Sequence, residues 1–357
     1  MRPLRFRLAA ILACLTLSGA LSVQAGCAAA GAERATSARV ELKQRALDFL
    51  KAGIRYSHNP AVRVEAVESL ESCTGNDALP WVRAALLDEN AGVRFAACVA
   101  LGRRGDSLAE SALRERARDE DGSVRVAALF ALHCLGHTDR SGTMPVYLLE
   151  VEDPVVRRNA AFVLGLMGER GVIKILARAM KDADSGVRNY ALEAMAMLGN
   201  AEARRELSFM TSAGVGAEEV FALQALAKTG DQAFLDTFRY KLATAPHVET
   251  RLAAAQGLGL LGSAEGLGPA LVALKPTIRA APADADDTPE ARELRVRQLA
   301  IRALGAIGGP EALAALAQLM ADSGDPRVQV CAAGAIVRIM ETNEARALEA
   351  TQPERRR

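Results

Sequence analysis

The chain has few aromatic residues, few histidines and no excess of either charge. Aromatic residues make up 4% of its 357 residues, there are four histidines, and the formal net charge is +1. A protein without a basic surface lacks the charge pattern by which proteins bind the nucleic-acid backbone, so we predict no nucleic-acid partner. Half of the residues are nevertheless apolar. Most of these are alanine, leucine and valine, which favours closely packed helices.

The sequence signatures of enzymes and metal sites are also missing. There is no Cys-x-x-Cys pair, no glycine-rich phosphate loop and no Gly-x-Ser-x-Gly elbow. His133 and His137 are four residues apart and could bind a metal, but Gly136 between them favours two unrelated residues of a turn. The cysteines after the first 27 residues are irregularly spaced, which favours small buried apolar residues. They are Cys73, Cys98, Cys134 and Cys331. We therefore expect no catalytic site and no cofactor.

The N-terminus has the pattern of a secretory signal. Three arginines precede a short apolar run over residues 8–21, and small residues follow. We predict a signal peptide over residues 1–26 and a tether over residues 27–39. Two cleavage patterns overlap: Ala25-Gly26-Cys27 resembles a lipobox that would place a lipid on Cys27, and Val23-Gln24-Ala25 suits an ordinary signal peptidase. The chain is thus expected to be exported, either periplasmic or held at a membrane by a lipid on Cys27.

A Val-Arg motif recurs along the chain at nearly constant spacing. Seven copies have arginine at the aligned position, and two degenerate copies have Glu219 and Gln329 there. The arginines are Arg63, Arg94, Arg125, Arg157, Arg188, Arg251 and Arg297. Successive copies are 31 or 32 residues apart, except for one step of 46 residues between Arg251 and Arg297. A period of this length predicts a repeat array.

The residues around the arginine show what each repeat is. The third residue after it is alanine in all nine copies, and the seventh is leucine, methionine or isoleucine. Spacings of four place these residues on one stripe of a helix, and the alanine lets a second helix approach closely. An earlier amphipathic stretch in each copy supplies that second helix. We predict an all-α solenoid of about nine helix hairpins over residues 40–342, because a single hairpin cannot bury its apolar face alone.

The pattern Asp-x-x-x-x-Val-Arg-x-x-Ala-x-x-x-Leu carries a resemblance to a known family. Copies begin at Asp88, Asp119 and Asp182, the last with Met195 in place of the leucine. The pattern resembles the HEAT repeat, in the short form of the phycobilisome-lyase type. The resemblance covers about residues 40–342. It implies a superhelix of the armadillo and HEAT kind, and it is unspecific for function.

The arginine column allows two interpretations. The seven arginines could bind an anionic ligand in a row. Alternatively, they form a structural ladder with the aspartates that stand six residues before the arginine position, a pairing that the resemblance implies. The planar guanidinium group suits bidentate bonding to a carboxylate, so we favour the ladder.

Two segments depart from the repeat pattern. Residues 275–292 account for the long step and contain three prolines together with Asp284, Asp286 and Asp287. We predict a solvated loop between the two helices of the eighth repeat, since the acidic cluster lacks the spacing of an EF-hand calcium site. Residues 343–357 are predicted to form a polar C-terminal tail.

The second helix of each repeat is expected to line the concave side of the solenoid. Positions one and five after the arginine vary in type between repeats. In repeats 2 to 4 they predict an apolar patch with one cation, made of Phe95, Val99, Val126, Phe130, Arg158 and Phe162. An alternative interpretation is that some of these residues belong to the core between neighbouring helices.

These features favour a scaffold that binds another protein through its concave face. The alternatives are an accessory or lyase-like HEAT subunit of an enzyme or cofactor-handling complex, and a structural component of the cell envelope. A membrane is expected to take part only through the lipid on Cys27.

Overall fold

A computed structural model describes residues 36–55, 57–73, 75–138, 141–275 and 288–351. The predicted signal peptide, Cys27, most of the tether, most of the insertion and the end of the tail lie outside these residues. Every regular element in the described residues is helical. Residues up to Arg45 form a unit of their own, in which residues 36–45 are helical. The compact unit that begins at Ala46 contains residues 46–55 of the first helix and all the later helices.

The described residues form nine consecutive helix hairpins, which confirms the predicted all-α solenoid. The first helices of the hairpins are α1 (residues 36–55), α3 (Leu79–Ala84), α5 (Glu110–Arg116), α7 (Met144–Leu149), α9 (Ile173–Ala179), α11 (Ala201–Met210), α13 (Leu235–Thr244), α15 (Leu267–Ala273) and α17 (Pro310–Asp322). The second helices are α2 (Pro60–Glu71), α4 (Ala91–Arg104), α6 (Gly122–Cys134), α8 (Pro154–Met167), α10 (Ser185–Met197), α12 (Gly216–Lys228), α14 (Val248–Leu260), α16 (Pro289–Ile307) and α18 (Pro326–Thr351). Residues 343–351, predicted as part of a tail, continue α18 as helix.

The repeat motif fixes both ends of the second helices. The side chains of Asn90, Asp121 and Asp184 accept hydrogen bonds from backbone amides two or three residues further on, and such caps contribute about 1 kcal/mol each. At the other end, α4 and α8 stop at Gly105 (φ 61°) and Gly168 (φ 75°). This left-handed conformation favours glycine, so both helices end at the glycine that stands eleven residues after the arginine of the repeat.

The predicted core stripe is buried along the whole array. All nine alanines of the alanine column have 0% exposure. They are Ala66, Ala97, Ala128, Ala160, Ala191, Ala222, Ala254, Ala300 and Ala332. The alanine column therefore lies in the core of the array, and in the first repeat a Cβ atom on Gly53 of α1 would lie 3.6 Å from Cβ of Ala66.

The second helices form a tightly packed inner layer. Each one packs against the second helix of the next repeat, whereas the first helices scarcely touch one another. Glycines permit the close approach in the inner layer: a Cβ atom on Gly165 of α8 would lie 2.8 Å from Cβ of Ala194 in α10. A layer that is tight inside and spread apart outside must curve, with the second helices on the inner side.

The inner layer closes on itself, which the sequence did not predict. The last helix, α18, packs against α2 of the first repeat. A Cβ atom on Gly334 of α18 would lie 2.9 Å from Cβ of Ser69, and Arg302 of α16 reaches Glu65 of α2 at 3.7 Å. The nine second helices thus form a closed ring. The first and last repeats cover the faces that they would expose in an open solenoid.

Candidate partner-binding face

The arginine column ties the turn of each repeat together. In six of its seven members, Nη1 donates a hydrogen bond to the carbonyl oxygen six residues earlier, at 2.7–3.1 Å. Those members are Arg63, Arg94, Arg125, Arg157, Arg188 and Arg251. The arginine thus satisfies a carbonyl in the turn that precedes its own helix.

Three arginines also bind the aspartate of the following repeat, and both Nε and Nη2 of the guanidinium group donate to its carboxylate. Arg63 pairs with Asp88 at 2.8 and 2.9 Å, and Arg157 pairs with Asp182 at 2.7 and 2.8 Å. The third pair, Arg94 with Asp119, spans 2.8 and 3.1 Å. In these three repeats the arginine has the bidentate pairing that the ladder interpretation predicts.

In some copies that lack the aspartate, another side chain takes its place, whereas Arg188 and Arg251 have only backbone carbonyls as hydrogen-bond partners among the described residues. Val151 stands at the aspartate position of repeat 4, and Arg125 instead donates from Nε to the hydroxyl of Tyr147 at 3.3 Å. The degenerate copy at Glu219 keeps the contact with reversed charges, since Nζ of the buried Lys241 donates to it at 3.1 Å. Arg297 faces Glu293 of its own helix at 3.6 Å. The column is occupied by protein contacts, which disfavours the alternative of an anion-binding row.

The ladder also sets the ionisation of its aspartates. Burial opposes ionisation of Asp119, but hydrogen bonds from Arg94 and from the backbone amide of Asp121 outweigh it, so the pKa of Asp119 lies below its ordinary value. Hydrogen bonds from Arg157 likewise lower the pKa of Asp182. Both carboxylates stay charged in the folded protein to a lower pH than in the unfolded chain.

The inner face of the ring consists of the side chains one and five positions after the arginine column. At 100° per residue, these positions point directly away from the core stripe. The prediction that they form an apolar patch is wrong for three residues. Val126 is 0% exposed, Phe130 is 1% exposed and Val99 is 7% exposed.

Curvature explains the burial of Val126 and Phe130. Phe95 of α4 and Phe162 of α8 lie on either side of α6, and their ring centroids are only 6.4 Å apart. The two rings meet across α6 because the layer bends sharply there. Phe130 also faces Gly102 of α4, where a Cβ atom would lie 3.3 Å from its ring. Phe130 is thus core between neighbouring repeats, as the alternative interpretation proposed.

The remaining predicted residues form a half-buried aromatic cluster. Phe95, Phe162 and Arg158 are all partly accessible. The sequence did not indicate Tyr190, which makes an edge-on contact with Phe162 at 6.1 Å between ring centroids. The guanidinium group of Arg158 lies 5.9 Å from the centre of the Tyr190 ring. The cluster offers apolar surface next to a cation.

The next arc of the inner face carries amide side chains. Asn189, Gln224, Gln256 and Gln298 are each half-buried and follow one another on α10, α12, α14 and α16. Nε2 of Gln224 donates to Oε1 of Gln256 at 3.4 Å, and Nε2 of Gln298 approaches Sγ of Cys331 at 3.7 Å. Each of four successive repeats thus presents an amide to the interior.

Acidic side chains follow on α2, where the ring closes. Glu65 faces Arg302, and Glu71 pairs with Arg103 at 3.0 Å. Glu68 lies between them and is accessible to water. Burial within the surrounding protein, together with the neighbouring Glu65 carboxylate, raises the pKa of Glu68 to about 7. Burial also raises the pKa of Glu71.

The histidines and cysteines, which could bind a metal or react, lie apart from one another. Nε2 of His133 pairs with Glu169 at 3.1 Å, and Nε2 of His137 pairs with Glu110 at 3.1 Å, so each histidine has its own partner. Cys73, Cys98 and Cys331 are buried as predicted, whereas Cys134 is exposed at the end of α6. Among the described residues, no group of three histidine, cysteine or acidic side chains could hold a metal. None of the described helices is long and apolar enough to cross a bilayer.

Comparison with known proteins gave matches of two kinds. The family profile described as HEAT repeats matches residues 47–133, 146–212 and 289–355, which together make up more than half of the chain. Among solved structures, the CpcE–CpcF complex of phycocyanin lyase from Nostoc sp. PCC7120 matches with 19% identity and a TM-score of 0.40, covering 73% of this chain and 93% of the other. Human deoxyhypusine hydroxylase matches with 18% identity and a TM-score of 0.35, covering 84% and 98%. A search of curated proteins gave no match.

Proposed function

The chain belongs to the HEAT-repeat family, and on that premise we propose that it is a scaffold that binds another protein on the inner face of its ring. The observation that carries this proposal is the aromatic cluster of Phe95, Phe162, Tyr190 and Arg158. Aromatic and arginine side chains contribute most to the energy of protein interfaces, and here they remain partly accessible inside a curved surface.

The pattern of variation along the repeats supports the same proposal. The core columns are nearly constant in type, whereas the inner face changes from aromatic to amide to acidic around the ring. Stacking of the repeats does not require this variety, because the core columns and the ladder hold neighbouring repeats together. A surface that changes from repeat to repeat is suited to recognising one particular partner.

A photo-crosslinking amino acid at position 162 tests the proposal. With p-benzoylphenylalanine in place of Phe162, ultraviolet irradiation of the native cells should yield a covalent adduct with a partner protein. Phe209 of α11 is the matched control, because it is an aromatic residue 80% exposed on the outer layer. Substitution at position 209 should give little or none of that adduct. If position 209 gives the adduct and position 162 does not, the partner binds the outer layer and the proposal is wrong.

We also propose that the protein is exported and carries a lipid on Cys27. The support is the sequence pattern of residues 1–27 alone, since these residues lie outside the described part. In a Gram-negative host, the full chain should fractionate with membranes, and Cys27→Ala should move it to the soluble fraction. Cys134→Ala is the control and should leave the membrane fraction unchanged. A wild-type chain found in the soluble fraction of the periplasm would instead indicate ordinary signal-peptidase cleavage.

A further inference from the structure

The four inner amides form a row with unused hydrogen-bonding capacity. A glutamine side chain has two N–H donors and a carbonyl acceptor. The contact between Gln224 and Gln256 uses one donor of the first and the acceptor of the second. The amides are half-buried and directed away from the core, so their remaining groups face the interior of the ring.

The spacing of this row suits a chain in an extended conformation. Neighbouring packed helices have axes about 8–10 Å apart, and side chains that converge inside a ring are closer than the axes. An extended polypeptide advances about 3.3 Å per residue, so it presents backbone groups to the same side about every 6.6 Å. Amides of neighbouring repeats could therefore pair with alternate backbone groups of one bound segment.

The acidic side chains of α2 indicate that such a segment would carry a basic residue at one end. Arg302 links α16, the last helix of the amide row, to Glu65 of α2. One turn further along α2, Glu68 is accessible and has no ion-pair partner within the described part of the chain. A cationic side chain placed there would form an ion pair with Glu68, the only inner carboxylate on α2 that has no such partner within the ring.

We propose that the interior of the ring binds an extended segment of a partner protein. The amides of Asn189, Gln224, Gln256 and Gln298 pair with the backbone of that segment, and Glu68 receives a lysine or arginine side chain from it. This inference rests on the proposed function and specifies its ligand. The amides hold any sequence in register, whereas Glu68 selects for a basic residue.

Phage-displayed random 12-residue peptides, selected on the full chain, provide the probe. We expect enriched peptides to share a lysine or arginine and to lose about tenfold in affinity with Gln256→Leu or Glu68→Gln. Gln318→Leu is the matched control, because Gln318 is exposed on the outer helix α17 and its replacement should change nothing. Methylation of the peptide's backbone nitrogens should also weaken binding, since it removes donors to the amide row.

The pH dependence of binding separates Glu68 from a merely structural residue. Glu68 must be ionised to hold a cation, and its pKa in the free ring is about 7. The charged groups around it are Glu65 and Glu71 on its own helix, Arg302 on α16 and Arg338 on α18. Affinity for a basic peptide should therefore rise between pH 6 and pH 8 in the wild type. With Glu68→Gln it should stay flat over that range.

Three results would overturn the inference: no enrichment of any peptide, enriched peptides without a basic residue, or unchanged affinity in both Gln256→Leu and Glu68→Gln. Any of these together with a specific adduct from position 162 would leave the proposed function intact. If that adduct were also absent, both the inference and the proposed function would be contradicted.

Discussion

Cysteines introduced at positions 53 and 330 are expected to form a disulfide within a single molecule. Gly53 is in α1 of the first repeat and Val330 is in α18 of the last, yet a Cβ atom on Gly53 would lie 3.9 Å from Cγ2 of Val330. That Cβ atom would meet its other neighbours at ordinary contact distances, so Gly53→Cys fits without strain. In an open solenoid of nine repeats, these two positions would be far apart.

Such a bond should also stabilise the protein strongly. A disulfide that closes a loop of this length lowers the entropy of the unfolded chain by an amount equivalent to about 5 kcal/mol, before any strain in the folded state. Electrophoresis without reductant should show a monomer that migrates faster than its reduced form, and the midpoint of denaturation should fall on reduction.

The single variants are the controls for this experiment. Gly53→Cys alone tests whether the new thiol pairs with Cys331, which is native, buried and next to position 330. Val330→Cys alone tests for dimers. If the double variant formed only disulfide-linked dimers, the first and last repeats would not meet in solution and the ring would be wrong.

The repeats were predictable from the sequence because their determinants are local. A capping residue, an arginine, an alanine and a leucine at fixed spacing specify one hairpin and its contact with the next. The alanine column correctly predicted a buried position in all nine copies. The resemblance to the HEAT repeat implied the ladder pairing, and its two members stand at fixed positions in the copies that have the aspartate.

Closure of the ring could not be predicted in the same way. It depends on a small rotation at each of eight junctions between repeats, and the errors in these rotations accumulate. One sign of it was nevertheless present: α18 has apolar or small residues at Val330, Ala333 and Val337, all fully buried. An open array needs a polar face on its last repeat. The absence of such a face is consistent with a last repeat that is covered by the first.

The same curvature explains why the candidate binding face was only partly predicted. The spacing of four correctly placed Phe95, Phe130 and Phe162 on the inner side of their helices. It could not show that the rings of Phe95 and Phe162 meet across α6, or that Val126 is buried. Tyr190 was missed because it stands two positions after the arginine, between the column that faces the core and the columns that face the interior.

Asp119→Ala is expected to be among the most destabilising single substitutions in the chain. The side chains of Arg94 and Asp119 are only 7% and 2% exposed, and Arg116 and the amide of Asp121 also donate to this carboxylate. Its removal leaves the buried Arg94 charge with only the exposed carboxylate of Glu120, at 3.5 Å, as an ion-pair partner. Loss of one partner of a buried ion pair typically costs about 3–5 kcal/mol of folding free energy. Asp322→Ala, at an exposed position on α17, should change the stability by less than about 0.5 kcal/mol.

Lowering the pH should reproduce part of this loss of folding free energy in the wild type. The pKa of Asp119 is lowered in the folded state, so the unfolded chain takes up its proton first as the pH falls. The contribution of Asp119 to stability is present above its unfolded pKa of about 3.9 and is lost as the pH falls through its lower folded value. Urea denaturation between pH 7 and pH 3 should therefore show a smaller decrease in the free energy of unfolding for Asp119→Ala than for the wild type.

If Asp119→Ala lowered the free energy of unfolding no more than Asp322→Ala, the ladder would not hold the repeats together. The arginine column would then have to be reconsidered as a surface for an anionic ligand.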